Sequence, residues 1–89
     1  MSGSDAEPTI AQEAPARQGE NLRWRFEQLA LPHLGYLYKL AVRLTGKTQD
    51  AEDVVQDTYI KALDAFSTLR EPERIRSWLS QILSRLVID

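Results

Sequence analysis

Cysteine is missing from this chain of 89 residues, and histidine occurs once, at His33. Without thiolates the chain can form no disulfide bridge and no cysteine-ligated metal centre. A lone histidine has no second imidazole with which to hold a metal ion. We therefore interpret His33 as a surface residue at the start of a helix rather than as a catalyst, and we expect no metal site.

Long apolar runs and glycine-rich loops are missing as well. No segment approaches the roughly 20 apolar residues that a membrane-spanning helix needs, and the first residues lack the basic-then-apolar layout of a secretory signal. The four glycines are scattered, so the sequence contains no phosphate-binding loop. The carboxylates show no apolar enclosure of the kind that general acid catalysis requires. These absences argue against a membrane protein and against an enzyme, and they favour the cytoplasm.

Charge and hydrophobic residues are unevenly distributed along the chain. The formal net charge is −2, but residues 1–20 carry four acids against Arg17 alone, whereas residues 21–89 carry ten bases and nine acids. Residues 1–20 contain no aromatic side chain and only Ile10 as a large aliphatic one. Such a segment cannot bury enough surface to offset its ordering entropy. The sequence thus predicts a disordered leader over residues 1–20 and one folded domain over residues 21–89.

Helical periodicity begins directly after the leader. A short helix is predicted from about Leu22 to Ala30. Pro32 suits the first turn of a second helix, where its missing N–H is not needed, and Gly46 is a natural terminator for that helix. The apolar stripe of the second helix consists of Leu34, Leu37, Tyr38, Ala41 and Leu44.

Two further helices are predicted on either side of a polar connector at residues 67–73. Thr48 is a candidate cap for the third helix, Pro72 interrupts the connector, and the fourth helix is expected to begin near Arg74. No strand-like alternation is visible, so the sequence predicts an all-α, compact bundle of three main helices plus a short N-terminal helix. The apolar stripes are Ala51, Val54, Val55, Thr58, Tyr59, Ala62, Leu63 and Phe66 on the third helix, and Ile75, Trp78, Leu79, Ile82, Leu83 and Leu86 on the fourth.

Acidic side chains dominate the other face of the third predicted helix. Between Asp50 and Asp64 there are five acids and one base, and Ile60 lies among polar neighbours. The ordinary interpretation is a solvated face. The alternative is docking onto a basic helical partner, because carboxylates around a small apolar contact suit such an interface. The candidate docking residues are Glu52, Asp53, Gln56, Asp57 and Ile60.

The polar face of the fourth predicted helix carries hydroxyls, an amide and arginines. Such side chains approach DNA closely and bind phosphates or base edges, although Glu71 and Glu73 dilute the positive charge and a solvated face is again the alternative. Trp78 lies on the apolar stripe, where core packing is its expected role and a DNA-facing edge the alternative. The candidate DNA-binding residues are Arg70, Arg74, Arg76, Ser77, Ser80, Gln81, Ser84 and Arg85.

Three runs of residues form a recognisable set: Leu-Ala-Val-Arg-Leu-Thr-Gly at 40–46, Asp-Ala-Glu-Asp-Val-Val-Gln-Asp-Thr-Tyr at 50–59, and Trp-Leu at 78–79 with Ile82, Ile88 and Asp89. Together they resemble region 2 of the sigma-70 family, in particular its extracytoplasmic-function (ECF) group. The resemblance implies that the third helix docks on a coiled coil of the largest subunit of core RNA polymerase. It also implies that the connector and last helix capture the non-template strand of the minus-ten promoter element and flip out a base. It implies no cofactor and no catalytic residue, and it allows for an anti-sigma factor as a further partner.

The chain departs from the family pattern in several places. Ile75 stands where an aromatic residue is usual, Ser80 and Gln81 replace aromatic and basic residues, and Arg85 replaces a frequent asparagine. The sequence stops at Asp89, where family members continue into a basic stretch and a helix-turn-helix domain that reads the minus-thirty-five element. We therefore expect a fragment that lacks the C-terminal promoter-binding domain.

Two other interpretations stay open. The first is a helical protein–protein adaptor with no role on DNA. The second is an independent DNA-binding regulator, which is disfavoured because ten bases against nine acids in residues 21–89 provide little affinity for phosphates. Binding to core RNA polymerase separates the adaptor from the sigma factor.

Overall fold

The computed structural model describes residues 21–88 and places four α-helices in them. Residues 21–30 form α1, and α2, α3 and α4 span Leu34–Thr45, Thr48–Ala65 and Ile75–Ile88. Single 3-10 turns at Leu31–His33, Phe66–Thr68 and Pro72–Arg74 join them, and residues 21–88 contain no strand. The predicted all-α bundle is confirmed. The predicted disordered leader, residues 1–20, lies outside the described residues, as does Asp89.

The connection between α2 and α3 depends on Gly46 and Thr45. Gly46 has a left-handed backbone with φ of 79°, and its N–H donates to the carbonyl of Val42 at 2.8 Å, which ends α2 as predicted. The Thr45 hydroxyl donates to the carbonyl of Lys47 at 3.0 Å and accepts from the Lys47 N–H at 3.3 Å. This tight turn brings Lys47 to the cap position, so Thr48 is the first helical residue and the prediction that it caps α3 is wrong.

The core lies where α2, α3 and α4 pack against one another. Each main helix turns most of its apolar stripe inward, as predicted. Leu34 and Leu44, at the two ends of α2, are exceptions because they are about 45% exposed, and Leu86 on α4 lies outside the core cluster. Among the described residues none of the helices is long and apolar enough to cross a bilayer. The buried hydrophobic residues are Phe26, Ala30, Leu37, Ala41, Ala51, Val55, Ala62, Phe66, Ile75, Leu79 and Leu83.

Aromatic contacts and one hydrogen bond attach α1 to the three-helix core. The ring of Phe26 packs edge-to-face against Tyr59 and Phe66, with centroids 6.1 and 5.3 Å apart. The Tyr59 hydroxyl donates to the carbonyl of Ala30 at 2.8 Å and so satisfies a carbonyl at the end of α1. Burial raises the pKa of Tyr59 to about 12, since the phenolate would lose its hydration there.

Candidate nucleic-acid interface and docking face

The outward face of α3 is acidic and solvent-exposed. Four of its polar side chains are exposed: Glu52, Asp53, Gln56 and Asp57. The three carboxylates among them take part in no ion pair between residues 21 and 88. Ile60 lies on the same helix and is 61% exposed, which is unusual for an isoleucine in a folded domain. All five candidate docking residues are therefore accessible to a partner, and their role in docking stays a prediction.

The exposed Ile60 borders a shallow apolar depression between α1 and α3. Its volume is about 290 Å³, and α1 contributes to it. The sequence did not predict this contribution, because the side of α1 that faces α3 depends on the packing of Phe26 against Tyr59. The depression is lined by Arg23, Phe26, Glu27, Leu31, Tyr59, Ile60 and Leu63.

A larger groove of about 520 Å³ lies along the polar face of α4. Six of the eight candidate DNA-binding residues line it, and one residue of α2 forms part of its wall. Ser80 and Ser84 are half-buried, whereas the arginines are exposed. The Ser80 hydroxyl donates to the carbonyl of Arg76 at 2.8 Å, so its oxygen remains available as an acceptor. The lining residues are Tyr36, Arg76, Ser77, Ser80, Gln81, Ser84 and Arg85.

The other two candidate residues, Arg70 and Arg74, line a second depression of about 250 Å³ at the connector. Ser77 and Gln81 line both depressions, so the two adjoin on one side of the molecule. Trp78 is half-buried against the core, which is the role expected for it, and it also borders this second depression. Its contact with DNA stays a prediction.

The arginines around these depressions are only lightly neutralised. Within residues 21–88, Arg74 pairs with Glu71 at 2.8 Å, and both side chains are more than half exposed. An exposed pair of this kind contributes little and exchanges readily. Arg70, Arg76 and Arg85 form no ion pair with any residue in that range. Three of these four arginines are therefore free of ion pairs within residues 21–88, and their role in DNA binding stays a prediction.

One residue of the groove, Tyr36, was not among the predicted site residues. The Cζ atom of Arg76 lies 4.9 Å from the centroid of its ring, within the range of a cation–π contact. A signal was available in the sequence, because Tyr36 is an aromatic residue of α2 that lies off the apolar stripe. Its position against α4 could not be deduced without the crossing of the two helices.

Comparison with known proteins agrees with these observations. The family model for Sigma-70 region 2 matches residues 29–89, which is more than half of the chain. RNA polymerase sigma factor SigV of Bacillus subtilis (strain 168) is 42% identical over 57 residues, covering 64% of this chain and 34% of the relative. ECF RNA polymerase sigma factor SigE of Mycolicibacterium smegmatis is 33% identical over 64 residues, covering 72% of this chain and 24% of the relative.

Ferric citrate uptake sigma factor FecI of Escherichia coli (strain K12) is 35% identical over 66 residues, which cover 72% of this chain and 36% of the relative. The chain spans about a quarter to about a third of the length of these curated relatives. No solved structure matches it significantly. The family match, the ECF relatives and the helical bundle confirm the resemblance seen in the sequence, and the chain belongs to the Sigma-70 region 2 family.

Proposed function

We propose that this chain is the part of an ECF sigma factor that binds core RNA polymerase and captures the minus-ten promoter element. It acts as a non-enzymatic subunit in the cytoplasm, where transcription is initiated. The observation that carries the proposal is the groove along α4, in which six of the candidate DNA-binding residues come together. The match to Sigma-70 region 2 and the printed names of the relatives support it.

The docking half of the proposal assigns the acidic face of α3 to the polymerase. A basic coiled coil of the largest subunit would be attracted by Glu52, Asp53 and Asp57, and Ile60 would provide an apolar contact beside them. A cluster of exposed carboxylates steers a basic partner during association and sets the register in which the partner binds. The neighbouring apolar depression can add buried area at the edge of that contact.

The DNA half of the proposal assigns the two depressions at the connector and α4 to the non-template strand. Exposed arginines can neutralise phosphates, and Gln81 and the serines can form hydrogen bonds with base edges. Extrusion of a base from the duplex costs a few kcal/mol, which stacking and hydrogen bonds in a pocket can offset without any cofactor. An anti-sigma factor would act by covering either the docking face or this DNA surface.

Fluorescence anisotropy with a labelled minus-ten oligonucleotide tests the proposal. The chain should prefer the single-stranded non-template sequence over duplex, with weak affinity that falls as salt rises, because few phosphates are neutralised. Arg76→Ala and Arg85→Ala should each reduce binding. Asp57→Lys should not reduce binding by the isolated chain, since Asp57 lies on the docking face.

Two outcomes would count against the DNA half. Equal binding to scrambled and promoter strands would leave only non-specific electrostatic attraction. Absence of binding even with core RNA polymerase present would favour the adaptor interpretation.

A further inference from the structure

Tyr36 and Arg76 form a contact that the fold itself does not require. The guanidinium carbon lies 4.9 Å from the ring centroid, and both side chains line the groove of about 520 Å³ between α2 and α4. Tyr36 is 45% exposed and lies outside the hydrophobic core cluster. An exposed cation–π contact contributes only about 0.5–1 kcal/mol, so this pair is not a major source of stability.

Tyr36 of α2 adds an aromatic ring to the groove, which the α4 side chains that line the groove lack. Ile75, three residues before Trp78 on α4, is buried, and the next turn presents Ser80 and Gln81 to the groove. Among residues 21–88, Tyr36 is the one aromatic side chain that lines the groove. Phenol rings and guanidinium planes are the two protein surfaces on which unpaired nucleobases stack.

We propose that Tyr36 and Arg76 together form a stacking platform for one unstacked base of the captured strand, a second site beside the connector depression. This inference rests on the proposed function. The groove falls within the range of about 300–1,000 Å³ in which proteins bind small ligands. Ser77 and Gln81 lie at its junction with the connector depression and can contact the edge of the base, while Arg85 can bind an adjacent phosphate.

The test is anisotropy of a labelled single-stranded minus-ten oligonucleotide titrated with the whole chain and core RNA polymerase. Tyr36→Leu should weaken binding about 5- to 150-fold, the range for loss of one base–aromatic stack, and Tyr36→Phe should bind like the wild type. Because no phosphate contact is lost, Tyr36→Leu should leave the salt dependence unchanged. Arg76→Gln should reduce the slope of log affinity against log salt by about 0.7.

Two more variants separate stacking from charge and from general surface effects. Arg76→Lys keeps the positive charge but removes the planar guanidinium, so it should weaken binding without changing the salt slope. Trp24→Leu is the matched control, since Trp24 is a 59% exposed aromatic residue of α1 that lines neither depression, and it should leave binding unchanged.

Oligonucleotides with one abasic site each identify the stacked base. We expect a position at which removal of the base weakens binding by the wild type but not by Tyr36→Leu. The platform is overturned if Tyr36→Leu binds as tightly as the wild type, or if every abasic penalty is the same in both proteins. The proposed function survives either of those results. A wild-type chain that binds no promoter strand, even with core polymerase, contradicts the proposed function and the platform together.

Discussion

At the scale of single residues, replacing a glycine by alanine is expected to have opposite effects on stability at Gly35 and at Gly46. Gly46 has φ of 79°, whereas Gly35 lies within α2, and an added Cβ would meet nothing within 4 Å at either position. Gly46→Ala should destabilise the domain by about 1–2 kcal/mol, because an alanine there is forced into a left-handed backbone. Gly35→Ala should stabilise it by about 0.4–1 kcal/mol by restricting the unfolded chain. Urea unfolding followed by circular dichroism measures both, and a shift of the same sign in the two variants would contradict this assignment.

Val55 tests the assignment of the buried face of α3. Its side chain is 6% exposed, so Val55→Asp places an unpaired carboxylate in the core. The cost is several kcal/mol, comparable to the whole stability of a small domain, and the variant should be largely unfolded by circular dichroism. Gln56→Asp introduces the same carboxylate one residue later, on the exposed face, and should melt close to the wild type. A Val55→Asp melting midpoint within a few degrees of the wild type would mean that this face is not the core.

Residue by residue, the sequence predicted burial better than it predicted contacts. The apolar stripes that contain Val55 and Leu79 follow from helical spacing alone, because residues three and four positions apart lie on the same face of a helix. The contact between Tyr36 and Arg76 joins residues forty positions apart and depends on how α2 crosses α4. Thr48 was assigned as a cap because the sequence pattern does not reveal that the Thr45 hydroxyl tightens the preceding turn.

At the scale of the helices, Tyr59 links α3 to the end of α1. Burial raises the pKa of Tyr59 from 10.0 to about 12, so the unfolded chain releases this proton at lower pH than the folded one. The corresponding stability is fully present below pH 10 and is lost as pH rises from 10 to 12. Thermal melts should therefore show a steeper fall in melting temperature over that window in the wild type than in Tyr59→Phe. Parallel curves for the two proteins would contradict the role of the phenol.

The hydrogen bond of Tyr59 has its own test at neutral pH. Tyr59→Phe removes the 2.8 Å bond to the Ala30 carbonyl and should cost about 0.5–1.5 kcal/mol. Tyr38→Phe is the matched control: Tyr38 is half-buried, and its hydroxyl forms no hydrogen bond with another residue in 21–88. Its unfolding free energy should stay close to that of the wild type. Equal losses in the two variants would show that the bond to Ala30 contributes nothing specific.

The bounds of the helices were predictable where a residue imposes a backbone conformation. Gly46 ends α2, and Pro72 prevents α3 and α4 from forming one continuous helix. The 3-10 turns at Leu31–His33 and Phe66–Thr68 were not predicted, because a tightened last turn depends on local packing rather than on residue type.

At the scale of the whole molecule, the domain carries two surfaces of different chemistry. The candidate docking face is acidic and belongs to α3, whereas the candidate DNA surface is built by α2, α4 and the connector and contains arginines. The candidate residues of both surfaces were predictable from helical faces. The shapes of the groove and of the depression beside Ile60 were not, because each is formed by two helices that are distant in sequence.

The most direct test of the account is a titration of the labelled chain with bacterial core RNA polymerase. The wild type should bind saturably, and Gln56→Ala combined with Asp57→Lys should weaken binding by about 1–3 kcal/mol, or roughly 5- to 150-fold. Glu73→Lys makes the same change in charge on the exposed turn Pro72–Arg74 and should bind like the wild type. Unchanged affinity in the α3 variant, with its helicity intact by circular dichroism, would remove this face from the interface. No binding by the wild type would contradict the central claim.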